Sequence, residues 1–191
     1  MKRPLATLTL VLLLSACGGS GGGSSSGVAC VEQFWNGVIG LCLPTGWTML
    51  GKETLEERGI PDQVIVAFQS AKAVSGQTPT ITVTSEKLAQ PLDSAAYSKA
   101  SIRSVTTLPG YKLIDSRSAE VEGQSVEIHV FTAQPVAGEP ERRFYQLSAV
   151  AAGIGYTFTA LTPVSISDTL EKEIILIMSS VRFSEPVPEA T

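Results

Sequence analysis

The chain has 191 residues, 43% of them hydrophobic, with 18 acidic against 14 basic side chains and a formal charge of −4. That balance lacks the clustered cationic excess through which proteins hold nucleic acid by counterion release. The apolar content suffices for one core of ordinary domain size, and no run approaches the roughly 20 residues that cross a bilayer as a helix.

The first element is a targeting segment. Lys2 and Arg3 supply a positive start, and Leu5 to Leu14 an apolar stretch of about ten residues, the length of a signal peptide and too short for a span. The stretch ends on Leu14-Ser15-Ala16-Cys17, which resembles the lipobox of bacterial lipoproteins. The resemblance implies cleavage after residue 16, a diacylglycerol on the Cys17 thiol as the new N-terminus, and attachment to the bilayer by acyl chains such as palmitate. It also implies a preference for the outer membrane in a two-membrane cell, because Gly18 stands where an inner-membrane retention aspartate would. The alternative is a plain secretory signal with an incidental cysteine.

Gly18 to Gly27 has no apolar residue to bury. A ten-residue Gly/Ser coil spans about 17 Å and reads as a tether. It contains a formal G-x-S-x-G match at Gly18 to Gly22, but a nucleophile elbow needs a strained strand-to-helix turn that a flexible coil cannot supply. Loss of Lys2 and Arg3 with the signal takes the formal charge from −4 to −6.

With Cys17 lipidated, Cys30 and Cys42 remain in an exported chain, and a disulfide between them is expected. Closing that loop constrains the unfolded chain by about 3 kcal/mol in the entropic account. Two buried free thiols and a metal pair are the alternatives. Two sulfurs with the one histidine, His129, make a poor zinc site, which wants three or four protein ligands.

The domain is expected over residues 28–183. Gly37 to Pro44 reads as a short apolar strand, Thr45-Gly46-Trp47 as a turn, and residues 51–62 as a polar excursion with about one helical turn. Gln63 to Ser70 and Thr80 to Leu88 are β-rich neighbours. Leu92 to Val105 changes to helical period, with Asp93 or Ser94 as cap and Leu92, Ala96, Tyr97 and Ala100 as the apolar positions. Strands follow at Tyr111 to Val121, Gln124 to Ala133, Arg143 to Ala152 and Tyr156 to Leu161. Their connections, Glu122-Gly123, Gln134 to Arg142 and Gly153 to Gly155, are hairpin-like, so these strands run antiparallel. Ser165 or Ser167 opens a last helix with Leu170, Ile174, Ile177 and Val181 on one stripe. Residues 184–191 form a tail disordered by composition.

This order predicts an α+β domain with helices packed on an antiparallel sheet. Leu43-Pro44-x-x-Trp47, Ala67-Phe68, Ile81-x-Val83, a helix carrying Tyr97, Tyr145-x-Leu147 and a final Ser180-Val181-x-Phe183 together resemble the PsbP-like family, over nearly all of residues 38–183. That family includes extrinsic photosystem subunits and many bacterial envelope lipoproteins. The resemblance implies a curved antiparallel sheet in an α/β/α sandwich and an accessory role.

No catalytic constellation, cofactor motif or metal cluster is legible. His129 lies beside Glu127 on the less buried face of its strand, with no nucleophile named next to it. Gly153-Ile154-Gly155 lacks a third glycine and leads into a strand, so no helix N-terminus awaits a pyrophosphate. Phe34, Trp35 and Trp47 read as packing residues, Trp35 against the disulfide, rather than as a ligand platform. Glu53, Glu56, Glu57 and Asp62 lack a calcium-loop pattern and read as a solvated face.

Two classes remain. One is a non-enzymatic envelope lipoprotein whose monomeric domain binds another envelope component through the 51–62 excursion and the Gln134 to Arg142 loop, and the other is an envelope hydrolase or ligand-processing enzyme with an unrecognised site. Cys17→Ser is expected to release the protein from membranes or to stall its processing. Fractionation with radiolabelled palmitate checks this; label entering the variant as readily as the wild type contradicts it.

Overall fold

The computed structural model describes residues 27–185. The signal segment, Cys17, nearly all of the tether and the end of the tail lie outside the described residues. The elements in order are β1 (Glu32–Trp35), β2 (Gly40–Leu43), β3 (Trp47–Leu50), α1 (Lys52–Glu57), β4 (Val64–Ser70), β5 (Thr80–Lys87) and α2 (Ser94–Val105). After these come β6 (Lys112–Val121), β7 (Gln124–Ala133), β8 (Arg142–Ala151), β9 (Ile154–Pro163) and α3 (Asp168–Ser179). Strands β3 to β9 form a seven-stranded sheet in the order β3-β4-β5-β9-β8-β7-β6, antiparallel at every pair. The α+β architecture read from the sequence is borne out.

The meander is set by its turns. Glu122-Gly123 and Ala152-Gly153 have φ of 50° and 75°, and of 49° and 76°. Positive φ at both central positions gives the hairpin turn whose twist matches that of its strands, and glycine takes the second position without a Cβ penalty. The registers then fall into place: Leu147 pairs with Phe158 and Ile128, while Gln146 pairs with Thr159 and His129.

Because paired residues share a face, this register separates two chemistries. One face carries Ile81, Val83, Ile128, Val130, Tyr145, Leu147, Phe158 and Ala160, all buried in one cluster with Leu170, Ile174, Ile177 and Met178 of α3 and with Ile39, Leu41 and Leu43. The β1–β2 hairpin and α3 cover it. The opposite face carries Thr82, Thr84, Gln146, Ser148, Thr157 and Thr159, and α1 and α2 lie on that side.

α3 starts at Ser167, whose hydroxyl accepts from Leu170 N at 3.2 Å. Its Glu171 receives Arg117 of β6 at 2.7 Å and Arg143 of β8 at 3.4 Å, and its Glu173 receives Trp47 Nε1 at 2.9 Å. At the far end Ser180 Oγ accepts from Cys42 N at 2.8 Å, and Arg182 exchanges both backbone bonds with Gly40. Any Cβ at Gly40 would press on Trp35 and Arg182, at 3.0 and 2.8 Å.

Cys30 and Cys42 form a disulfide with Cα atoms 5.5 Å apart, which sets aside the free-thiol and metal-pair alternatives. The bridge ties the segment that follows the tether to β2. Trp35 is half-buried and packs at Gly40.

Three local readings change. β1 was not expected as a strand; it exists because β2 pairs with it, Gln33 opposite Cys42. Residues 37–39 leave the expected 37–44 strand because Asn36 Oδ1 accepts from Val38 N and Ile39 N, at 3.0 and 2.9 Å, and turns the chain. Trp47, read as part of a turn, opens edge strand β3 opposite Ser70. All three are outcomes of pairing or side-chain capping, which hydropathy does not encode.

Gly155 shows how closely α2 approaches. A Cβ there would lie 2.7 Å from the Tyr97 hydroxyl and overlap the ring. Gly155→Ala is therefore expected to destabilise the fold by about 1–3 kcal/mol through overpacking, and the cost should shrink in a Tyr97→Leu background. Urea unfolding of the four proteins checks this; equal costs in both backgrounds contradict it.

Candidate functional site

Two concave regions stand out, and they differ in chemistry. The first sits at the β3 edge. Residues 51–62 leave the sheet after Leu50, make the short helix α1 and return through Ile60 and Pro61. Leu55 is the one buried residue of α1 and packs with Leu50 and Ala67, flanked by Ile60 and Val64. The result is a cleft of about 610 Å³ between α1, β3, β4 and the tip of the β1–β2 hairpin. Its walls include Phe34, Met49, Leu55, Ile60 and Ile65, and its polar rim includes Lys52, Glu56 and Asp62. Met49 is 51% exposed and Ile65 38%. Such apolar exposure at a cleft marks a contact surface.

The second region lies beneath α2. This helix is capped by Asp93, which accepts from Ala96 N at 2.7 Å. The apolar positions expected to bury, Leu92, Ala96 and Ala100, do not form its seat; its buried residues are Ser94, Tyr97 and Ser98. Ser94 Oγ accepts from Val150 N at 2.9 Å, and Ser101 Oγ accepts from Gln146 Nε2 at 2.7 Å and from Ser148 Oγ at 2.8 Å. The Tyr97 hydroxyl donates to Glu86 at 2.7 Å and touches Thr157 Oγ1 at 3.3 Å. Serines at 94, 98 and 101 recur at helical spacing, so α2 docks on a polar face through hydroxyls. Beside this seam is a half-open pocket of about 500 Å³ lined by Glu86, Tyr97, Ser101, Gln146 and Thr157 among others. Burial, with the Glu86 carboxylate adding to it and the Thr157 bond opposing it, pushes the Tyr97 phenol up to about 12.

His129, read as lying on the less buried face of its strand, is 4% exposed. Tyr111 covers it, its hydroxyl 2.9 Å from Nε2 and its ring nearly parallel, while Nδ1 lies 3.1 Å from Glu127. A hydroxyl, imidazole and carboxylate thus stand in line, a partner that sequence spacing did not supply. A nucleophile, however, needs its proton loosened. Burial and the Glu127 charge instead raise the Tyr111 phenol, and neither Tyr111 nor His129 lines the two concave regions. The line continues into Phe131 and Phe144, stacked with centroids 5.0 Å apart, as packing between the sheet and the loop at Pro109.

The other sequence candidates are dispersed. Trp47 is buried and hydrogen-bonded to Glu173. Glu56 pairs with Lys52 at 3.5 Å on the surface of α1, and among the described residues no group of three or more His, Cys, Asp or Glu side chains is arranged to hold a metal ion. Gly153 and Gly155 belong to the β8–β9 hairpin. The Glu86, Tyr97, Ser101, Gln146, Thr157 cluster was missed. Its signal was present as hydroxyl and amide residues alternating with apolar ones in Thr80 to Thr84, Gln146 to Ser148 and Thr157 to Thr159. No helix among the described residues is long and apolar enough to cross a membrane.

Comparison with known proteins now bears on this architecture. A family model described as probable lipoprotein LpqN, Lpp-LpqN, matches residues 31–129. The crystal structure of LpqN involved in cell envelope biogenesis of Mycobacterium tuberculosis is similar with a TM-score of 0.57 at 16% identity, over 75% of this chain and 82% of that one. The solution structure of cyanobacterial PsbP (CyanoP) from Synechocystis sp. PCC 6803 gives 0.51 at 17% identity, over 90% and 99%. The Ran-binding protein Mog1p of Saccharomyces cerevisiae gives 0.54 at 9%, over 82% and 96%. At these identities the structures establish a shared fold, and the PsbP-like resemblance read from the sequence holds at that level. No curated protein sequence matches the chain.

The raised Tyr97 phenol sets a pH dependence. A group whose folded pKa exceeds its unfolded one contributes stability below the unfolded value and loses it as pH rises through the folded value. Wild-type stability should fall between about pH 10 and about 12, by about 3 kcal/mol at most from this group, and Tyr97→Phe should fall less steeply. Denaturant titrations across that range check it; parallel curves contradict it.

Proposed function

Because the chain belongs to the Lpp-LpqN family of probable lipoproteins, we propose that it is a lipid-anchored accessory module of the cell envelope that engages another envelope protein through the cleft beside α1. The single observation that carries this reading is that cleft: apolar walls, a polar rim, and Met49 and Ile65 left in solvent. A partner that inserts an apolar anchor there removes both from water, at about 25 cal/mol for each Å² covered.

The anchor in this reading is Cys17, with residues 1–16 as the signal, 17–27 as lipidated tether, 28–183 as the domain and 184–191 as tail. Gly18 directs the mature protein to the outer membrane where a cell has two. The involvement of LpqN of Mycobacterium tuberculosis in cell envelope biogenesis supports an envelope location. Tethering confines the domain to a thin layer and raises its effective concentration toward a membrane-bound partner, to the millimolar range for a short flexible link at about the right span. A weak contact then suffices.

The module works by binding rather than by turnover. Of its hydroxyl, imidazole and carboxylate line the imidazole is buried, and the hydroxyl is made less acidic. The Gln134 to Arg142 loop, where Val136 is 53% exposed, is a second contact region at the connection between β7 and β8.

The test is complementation of the envelope defect of a deletion strain by three forms: the wild-type chain, the same domain exported without Cys17, and a tethered Met49→Glu, Ile65→Glu variant. Only the wild type is expected to restore it, with the variant folded as judged by its thermal transition. Full rescue by the untethered or the doubly substituted form overturns the reading.

A further inference from the structure

We propose that the pocket beneath α2 is a binding subsite for a primary ammonium group. This site is separate from the protein-contact cleft beside α1, and its test does not depend on that reading.

Four elements build the pocket: β5 contributes Glu86, α2 contributes Tyr97 and Ser101, β8 contributes Gln146 and β9 contributes Thr157. Several donors are committed within the seam. The Tyr97 hydroxyl is committed to one carboxylate oxygen of Glu86 at 2.7 Å, and its raised pKa keeps the proton in place through neutral pH. Gln146 Nε2 and Ser148 Oγ both donate to Ser101 Oγ, at 2.7 and 2.8 Å.

Two acceptors remain open at the pocket. Gln146 is 7% exposed, and its Oε1 is buried with no hydrogen-bond partner. A buried carbonyl left unpaired carries a desolvation penalty that a donor would relieve. Glu86 stands at the mouth of the pocket with its second oxygen free, is the only ionised side chain among the lining residues, and takes part in no ion pair among the described residues. Gln63 and Thr84 add further acceptor oxygens at the rim.

An ammonium matches this inventory. It brings three donors, no acceptor and one positive charge, so it can meet the Glu86 carboxylate while a rotamer adjustment of Gln146 turns Oε1 toward it. An anion would meet Glu86 unfavourably. A neutral polyol brings an acceptor with every donor and leaves the carboxylate uncompensated. A quaternary ammonium has the charge but no N–H to give.

The full-length protein purified from membranes, held in phosphatidylcholine bicelles, is titrated with ethylammonium chloride while the amide resonances of Glu86, Ser101, Gln146 and Thr157 are followed. Saturable shifts at these positions are expected, with ethanol and tetramethylammonium at equal concentration giving none. Glu86→Gln keeps an acceptor for Tyr97 and removes the charge; it should weaken ethylammonium at least tenfold. Gln146→Met should weaken it about threefold, with the amide spectrum elsewhere unchanged. A second arm replaces part of the phosphatidylcholine by phosphatidylethanolamine. The same shifts appearing there without added amine assign the group to a lipid headgroup, and their absence there assigns it to a soluble amine, the subsite standing in both cases. Absence of saturation by ethylammonium, an equal response to ethanol, or undiminished affinity in Glu86→Gln overturns the proposal.

Discussion

The register between β8 and β9 is the constraint on which the rest of the molecule depends. Ten consecutive pairs, from Arg142 opposite Pro163 to Ala151 opposite Ile154, lock two central strands with Tyr145, Leu147 and Ala149 facing one way and Gln146 and Ser148 the other. A slip of one residue would turn every one of these side chains to the wrong face. The Ala152-Gly153 turn fixes the register by geometry, and the two flanking strands extend it: Ile128 and Val83 join the apolar side, His129 and Thr84 the polar one.

Each face then selects its cover. The apolar face takes α3 and the β1–β2 hairpin, and fully buried Ile174, Ile177 and Met178 supply the non-directional gain of a closed core. Charged side chains hold α3 in place at its first turn, where Glu171 gathers Arg117 and Arg143, two cations from different strands. Arg117 in turn keeps the Asp115 carboxyl below the usual carboxylate range by hydrogen bonding to it. The polar face takes α2, which brings serines and one tyrosine. A hydrogen-bonded seat of this kind is directional and leaves gaps where donors and acceptors do not match in number. The pocket at Gln146 and Glu86 is such a gap, and Gly155 is the position at which the sheet yields so that Tyr97 can reach Glu86 and Thr157.

The sheet ends differently on its two sides. β6 is a full ten residues, with a register shift between Leu113 and Asp115 that distorts the free edge and discourages another strand from adding to it. β3 has four residues, and the chain leaves it at once for α1. Shortening that edge leaves Phe34, Leu50 and Ile65 around an unfilled space, which gives the domain its apolar cleft. The disulfide from Cys30 to Cys42 and the Arg182 to Gly40 pairing brace the hairpin that forms the cleft's other wall, so the wall is held from both chain ends.

Periodicity was enough to determine the meander, the existence of α2 and α3, the buried stripe of α3 and the α+β class, because alternation with period two and spacing near 3.6 are written in the order of residues; between Asp93 and Ser94, and between Ser165 and Ser167, the structure chose Asp93 and Ser167 as the caps. Cysteine count together with the apolar leader was enough to single out Cys30 and Cys42 as a pair. Tertiary structure decided what depends on which strands meet. Trp47 reads locally as a turn residue and becomes an edge-strand residue only opposite Ser70. His129 reads as half-exposed and is buried only because Tyr111, eighteen positions away, lies over it. Glu86, Tyr97, Ser101, Gln146 and Thr157 come from four separate elements, and no spacing along the chain encodes their meeting; the strand order β5-β9-β8 and the placement of α2 across it bring them to one pocket.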